Sequence, residues 1–536
     1  MNMATTANLR SRRSAAQLHA LAGVEREIRA QDSHNRRKYL REFNEAYRSY
    51  DSLLDASEVQ NALRSADVVL IGDYHALPAA QRYAASLMEQ RALSGDRKVV
   101  LGVETIFARD QHILDEWWRR EIDESELRQR IRFDLDWGYD WTPFYELLVT
   151  ARDHSEAVYG LDCMPREDLR KIGARDRHAA AKIGEIRQRH PDAVIFVLFG
   201  ESHLAPGHLP NALKQQIPDA KVQTVLQNVD ALYWRAAGER ADKIEAVRVN
   251  DEVVCVFNAT PLEKYESYRL FLDQWSRCDD APDFAPTIYN LIDSLARFLE
   301  INRYSPHNGT QPKFLVDMLP EVYAGSSDAM LRRLLSRKGI GEQERESMLT
   351  SVEERGGAYL PQVNAFYLRE FQMTHAAEDA TRFLHQACQG LPHRLNGHQG
   401  LGSVASENDD TERNQIDRFY ARIIEHAVAY FGSRVLDPSR AVPDDSSLPS
   451  RAACEKAAQA ALRIDPSKFE STAQDLGYRI GSQVYDAYLA GKVTPSGLRR
   501  LFLAHLDEPG LARKVCAAVI AKLRAASNSK SRAAPV

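Results

Sequence analysis

Two four-residue phrases in this chain of 536 residues carry side chains suited to proton transfer or metal binding, Gly72-Asp73-Tyr74-His75 and Gly200-Glu201-Ser202-His203. Each follows an apolar run, Asp67–Ile71 or Val194–Phe199, and each has a proline three residues beyond its histidine, Pro78 or Pro206. An imidazole beside a carboxylate can hold a metal or pass a proton. Two further apolar runs end on acids: Val99–Val103 delivers Glu104 and Val158–Leu161 delivers Asp162. A carboxylate at the end of a buried strand calls for a partner or a task. His75, Glu104 and His203 are therefore the candidate catalytic and metal-ligating residues. In an enzyme His75 is base or ligand, Glu104 holds a metal or orients water, and His203 is the partner acid. Gly72, Asp73, Tyr74, Gly200, Glu201 and His208 extend the candidate cofactor site, the glycines because a missing Cβ allows close approach. The bland alternative makes each phrase a strand-to-helix turn whose acid caps the next helix. The spacing is not a zinc signature such as H-E-x-x-H, so metal identity stays open.

The elements that must position these residues are legible as texture. Short β-branched runs at 67–71, 99–103, 157–160, 194–199 and 222–226 alternate with charged, alanine-rich helical stretches such as Ala79–Leu93 and Arg175–Arg189. That alternation predicts βαβ units, a mainly parallel sheet flanked by helices, and a ligand crevice at the carboxyl ends of the strands. Ala246–Val249 and Val253–Phe257 across Asn250-Asp251 predict a closing hairpin. Residues 1–62 read as a helical lead-in and linker, 63–262 as the α/β domain, 263–524 as an α-helical domain, and 525–536 as a disordered tail. Between Glu104 and Asp162 lie Trp117, Trp118, Trp137 and Trp141, interleaved with Phe133, Tyr139, Phe144 and Tyr145. These form either a helical subcore or a lid over the cleft, and on the second reading Trp137 and Trp141 join the cofactor site. His112, His154, His178 and His190 read as solvated. His375, His385 and His426 receive no role, and Cys163 only a flag.

Composition narrows the class. The formal net charge of −5 gives no reason to expect nucleic acid as a partner. Six scattered cysteines with no C-x-x-C pair suit a reducing compartment. No run approaches the length of a membrane span, and the Arg12-Arg13 pair is not followed by the apolar stretch of an export signal, so the expectation is a cytoplasmic protein.

Residues of about 63–262 resemble the ChaN-like haem-binding domain of the Tiki/TraB superfamily, to which the erythromycin esterases are distantly related. The resemblance rests on Gly72-Asp73-Tyr74-His75, Gly102-Val-Glu104, Asp136-Trp137 with Trp141 and Tyr145, and Tyr159-Gly160. It rests also on Arg175-Asp176 and on Gly200-Glu201-Ser202-His203 followed by Gly207-His208-Leu209-Pro210. It covers under half the chain and does not extend to the second half. It implies haem binding and iron uptake, often as a membrane-tethered lipoprotein, or else metal-dependent hydrolysis through the two histidines and the glutamate. Asp73 stands where the family usually has Glu, which shortens the carboxylate's reach. The cofactor expectation is accordingly haem or a divalent metal ion, and the partner expectations are haem or a small molecule, with a homodimer.

Three functions are compatible with these residues. The first is a haem- or metal-binding module, in which Tyr74 or Tyr139 could replace imidazole as a phenolate ligand. The second is an esterase- or peptidase-like hydrolase using His75, Glu104 and His203. The third is an interaction protein whose helical half carries the role.

Overall fold

The computed structural model describes residues 3–32, 38–163, 172–239, 244–277, 282–301, 319–325, 327–337, 339–389, 411–461 and 466–531. The chain divides into two compact units, Glu25–Cys278 and Met1–Val24 with Asp279–Val536.

The first unit is built on eight strands: β1 (Ser52–Leu54), β2 (Val68–Asp73), β3 (Val99–Phe107), β4 (Ala157–Asp162), β5 (Val194–Gly200), β6 (Val222–Gln227), β7 (Ala246–Asn250) and β8 (Val253–Val256). They form one sheet in the order β1-β7-β8-β6-β2-β5-β3-β4. The six strands from β8 to β4 pair in parallel, and β7 and β1 add an antiparallel edge. Helices cover both faces, which is why β2, β3 and β5 read as unbroken apolar runs. Alternate residues face opposite layers. Val69, Ile71, Leu101, Val103, Phe196 and Leu198 join one core with the aromatic segment, whereas Val68, Leu70, Val100, Ile195, Val197 and Phe199 join the other.

The α/β architecture and parallel sheet are as expected, with one addition at the edge. Ser52–Leu54, in the stretch read as linker, pairs with Ala246–Arg248 as an edge strand. Three residues are too few for a period-2 signal to register.

The second unit is largely helical, with helices Ala285–Phe298, Met373–Gln389, Thr411–Leu436, Arg451–Ala461, Pro466–Leu489 and Leu511–Ser531 among its longest. It also contains a three-stranded sheet that the helical reading of 263–524 does not include: β9 (Glu321–Ala324), β10 (Gly357–Leu360) and β11 (Ala365–Leu368) in the order β10-β11-β9. β10 and β11 form a hairpin across a turn in which Asn364 takes φ 47°. Each strand is four residues long, too short to stand out from the helical pattern around it. Part of the expected tail, up to Ser531, lies on the last helix, and residues 532–536 fall outside the described residues. No helix is long and apolar enough to cross a membrane among the described residues.

Candidate functional site

Strand order brings the chemistry together. β2, β5, β3 and β4 are neighbours in the sheet, so Asp73, Gly200, Glu104 and Asp162 end up side by side at one edge. β3 shifts register against β4 between Val103 and Phe107, at the position of Glu104. β4 meets this irregular stretch with Gly160, where a Cβ would come within 2.7 Å of the Ile106 carbonyl oxygen.

Each imidazole is anchored by a buried aspartate. His75 Nδ1 lies 2.7 Å from Asp73 Oδ2, and the other Asp73 oxygen accepts from Gln81 Nε2. His203 Nδ1 lies 2.5 Å from Asp176 Oδ1, while Asp176 Oδ2 is 3.0 Å from His208 Nδ1. His208 continues outward, its Nε2 being 3.2 Å from Glu42. Anchoring at Nδ1 leaves both Nε2 atoms for the cleft, and each is 3.7 Å from an oxygen of Glu104. A Cβ on Gly200 would sit 3.0 Å from Glu104 Oε2 and 3.3 Å from His75 Nε2, so these groups converge over a position that only glycine leaves open.

Glu104 is held from behind. Arg175 Nη2 donates to Glu104 Oε1, and the Gly200 amide donates to Glu104 Oε2. The same guanidinium grips Asp162 through Nε at 2.9 Å and Nη2 at 2.7 Å. Burial pushes the Glu104 carboxyl up, but Arg175, His203, His75 and the Gly200 amide outweigh it and hold it at about 2. Asp162 goes the other way: burial raises it despite Arg175, with Glu104 adding to the rise.

The cleft in front of these groups has a volume of about 160 Å³ and is lined by Tyr39, Tyr74, Tyr139, Tyr268, Leu40 and Ile172 around the polar floor. Tyr39 and Leu40 come from the helix Lys38–Ala46, which also supplies Glu42. Tyr139 packs on Phe271 at 4.3 Å, and the Tyr268 hydroxyl donates to Asp32 at 2.8 Å.

The sequence-derived residues therefore separate. His75, Glu104, His203, Asp73, Tyr74, Gly200 and Glu201 line the cleft. Gly72 lies within β2 under Leu204, and His208 stands one residue back, behind Asp176. Trp137 and Trp141 are core residues, 1 % and 4 % exposed, and neither lines the cleft. Trp141 stacks on Tyr145 and donates its indole N–H to Glu124, whereas Trp137 meets the His75 ring edge-on at 5.2 Å. Trp137 and Trp141 thus belong to a subcore that backs His75, while Tyr139 of the same segment lines the cleft. The acids do not cap the following helices: the helix Pro78–Leu93 has no side-chain cap, and Glu201 pairs with Lys264 at 3.1 Å. Burial raises the Tyr74 phenol well above its ordinary value, with Tyr265 and Glu201 adding to it. That rise disfavours a phenolate ligand at this position, and Lys264 Nζ lies 4.6 Å from the Tyr74 ring as a cation–π contact. Among the described residues no group of three or more His, Cys, Asp and Glu side chains is arranged to hold a metal.

Gln81 and Lys264 are residues that the sequence reading overlooked, and Arg175-Asp176, quoted there only for the resemblance, received no role at the site. Arg175-Asp176 did carry a signal. In the helix Ile172–Arg189 the buried face runs through Asp176, Ala179, Ala180 and Ile183, so a carboxylate sits on an apolar stripe. A charge in that position must have a partner.

The sheet places a histidine–carboxylate cleft at the carboxyl ends of its strands, the position where open α/β sheets hold their ligands. Residues 59–194 match the family described as haem-binding uptake, Tiki superfamily, ChaN. The match takes in Gly72–His75 and Glu104 and ends at the first residue of β5, before Gly200–His203. A solved structure described as cofacial heme binding to ChaN of Campylobacter jejuni is similar at 15 % identity, covering 33 % of this chain and 86 % of that chain, with a TM-score of 0.25. No curated protein matches the chain.

Proposed function

We propose that the α/β unit binds haem at this cleft, with Nε2 of His75 or His203 as the donor to the iron. The observation that carries the reading is the pair of Nδ1 anchors. Histidines that ligate metals almost always give their other ring N–H to a carboxylate, carbonyl or water, which fixes the tautomer and strengthens the donor atom. Asp73 and Asp176 stand in that relation to His75 and His203. The family match over residues 59–194 supports the same cofactor. The donor chemistry fits iron. The volume of about 160 Å³ lies below the roughly 300–1,000 Å³ of pockets that enclose a drug-sized ligand, so the cleft covers only part of a porphyrin. Bound haem supplies a redox-active iron. The chain's own part is to orient the imidazoles through Asp73 and Asp176.

Titration of the purified protein with haemin is expected to give a saturable Soret shift. His75→Ala or His203→Ala should weaken it more than tenfold, and Asp176→Asn, which leaves the imidazole in place but loosens its anchor, by about 10–100-fold. No Soret shift, or an affinity indifferent to both histidine changes, overturns the reading.

One observation favours a second reading, a hydrolase. Glu104 is held as a carboxylate 3.7 Å from both Nε2 atoms, an arrangement that also suits activation of water by an imidazole. Glu104→Gln separates the two: it should abolish turnover in an ester or peptide panel while leaving the Soret shift in place.

A further inference from the structure

The far end of the sheet carries a group of polar side chains that the cleft does not use. β4 is an edge strand, and Tyr159 is its third residue. The Tyr159 hydroxyl lies 2.9 Å from Nε2 of His190, which directly follows the helix Ile172–Arg189, and the two rings meet edge-on at 5.9 Å. On the other side of the imidazole, Nδ1 faces Glu156 Oε2 at 3.5 Å. Glu156 is fixed in turn: its Oε1 pairs with Lys98, and its amide donates to the Val99 carbonyl at 2.8 Å. Glu156 and Lys98 stand immediately before β4 and β3, so the group sits at the amino ends of these strands, whereas the cleft lies at the carboxyl ends.

The tautomer follows from these contacts. An Nδ1 beside a carboxylate keeps its proton, which leaves the Nε2 lone pair free, and the Tyr159 hydroxyl donates to it. A hydroxyl that donates to an imidazole, itself oriented by a carboxylate on its far side, is the arrangement that activates a weak oxygen nucleophile. The group is open to solvent. Tyr159 is half-buried, and the His190 and Glu156 side chains are 19 % and 33 % exposed.

We propose that Tyr159 is a nucleophilic modification site that takes up an acyl group from an activated ester, with His190 as its base and Glu156 and Lys98 as positioning residues. The phenol oxygen attacks the ester carbonyl carbon while His190 Nε2 removes the phenol proton. The bond from that carbon to the leaving oxygen then breaks. The leaving oxygen keeps the electron pair and takes the proton from His190, and the acyl group stays on Tyr159. The product is itself a phenyl ester, so the donor must carry a leaving group more acidic than a phenol of pKa about 10.

The test uses the full chain and p-nitrophenyl acetate, with acetylated peptides mapped by mass spectrometry over time. Tyr159 should gain acetyl severalfold faster than any other of the 21 tyrosines. His190→Gln, which keeps a polar side chain but no base, should slow labelling of Tyr159 by about tenfold or more. Glu156→Gln should slow it severalfold. In both variants the other tyrosines should label at their wild-type rates, which a general loosening of the fold would not leave unchanged. The proposal is overturned if Tyr159 labels no faster than the other tyrosines. It is also overturned if His190→Gln leaves the Tyr159 rate as it was. The ranking of tyrosines in the wild-type chain decides by itself if either variant folds poorly.

Discussion

Replacing Arg175 with methionine is expected to destabilise the α/β unit by about 3–5 kcal/mol. Arg175 is 4 % exposed and bridges Glu104 and Asp162, whose side chains are equally buried. Removing the guanidinium leaves two carboxylates in a low-dielectric site with no cation between them, and the cost comes from those orphaned charges more than from the lost bonds. Methionine fills a similar volume, so a cavity contributes little. All six tryptophans lie between Trp117 and Trp275, within the α/β unit, so tryptophan fluorescence in a urea titration reads this unit alone. The midpoint should fall clearly. Adding Glu104→Gln and Asp162→Asn to Arg175→Met should recover most of the loss, because neutral amides have no charge left to orphan. An unchanged midpoint in the single variant would show that the bridge is not what holds these strand ends.

The second large effect concerns acid stability of the helical unit. His385, on the helix Met373–Gln389, is 2 % exposed, and neither ring nitrogen has a hydrogen-bond partner among the described residues. Burial pushes it from 6.5 down to about 4, with Glu425 opposing and Arg422 assisting. A base whose folded value lies below its unfolded one is protonated first in the unfolded chain. Its contribution to stability is therefore complete above about pH 6.5 and is lost as pH falls towards 4, to the extent of about 3 kcal/mol. His426, with burial lowering it and its bond to Glu470 opposing, acts in the same direction. Glu425, held at about 2 by Arg422 and Arg382 against burial, contributes stability that is present above about pH 4.5 and is lost only as pH falls from there towards 2. In far-UV circular dichroism the transition without a tryptophan signal should shift steeply between pH 6.5 and 4.5. His385→Leu should flatten that slope and be the more stable protein at pH 5. Equal slopes in the two proteins would sink the assignment.

The fold was legible where the signals are local. Unbroken apolar runs such as Val194–Phe199 identify strands buried on both faces, and their alternation with helical stretches identifies the parallel sheet. β1 and the sheet of β9, β10 and β11 were not legible, because strands of three or four residues carry too little periodicity, and β1 and β9 gain their identity from pairing with segments distant in the chain.

The doubled Gly–acid–x–His phrase and Glu104 were likewise local: a glycine and an acid at the end of an apolar run are visible without any partner. Which of these strand ends meet is a different kind of fact. β5 lies between β2 and β3, and that order brings the strand ends carrying His75, His203 and Glu104 together, with each imidazole Nε2 3.7 Å from a Glu104 oxygen. The anchors come from other elements, Asp176 and Arg175 from a helix and Glu42 from the segment before the sheet. Trp141 shows the converse, since its residue type and neighbourhood suited a ligand wall and its packing made it core. Residue types and spacing in the chain determined which chemistry is available and on which strand ends it stands. The tertiary structure decided which groups converge, because hydrogen bonds and Coulomb forces act over a few ångströms of space, whatever the separation along the chain.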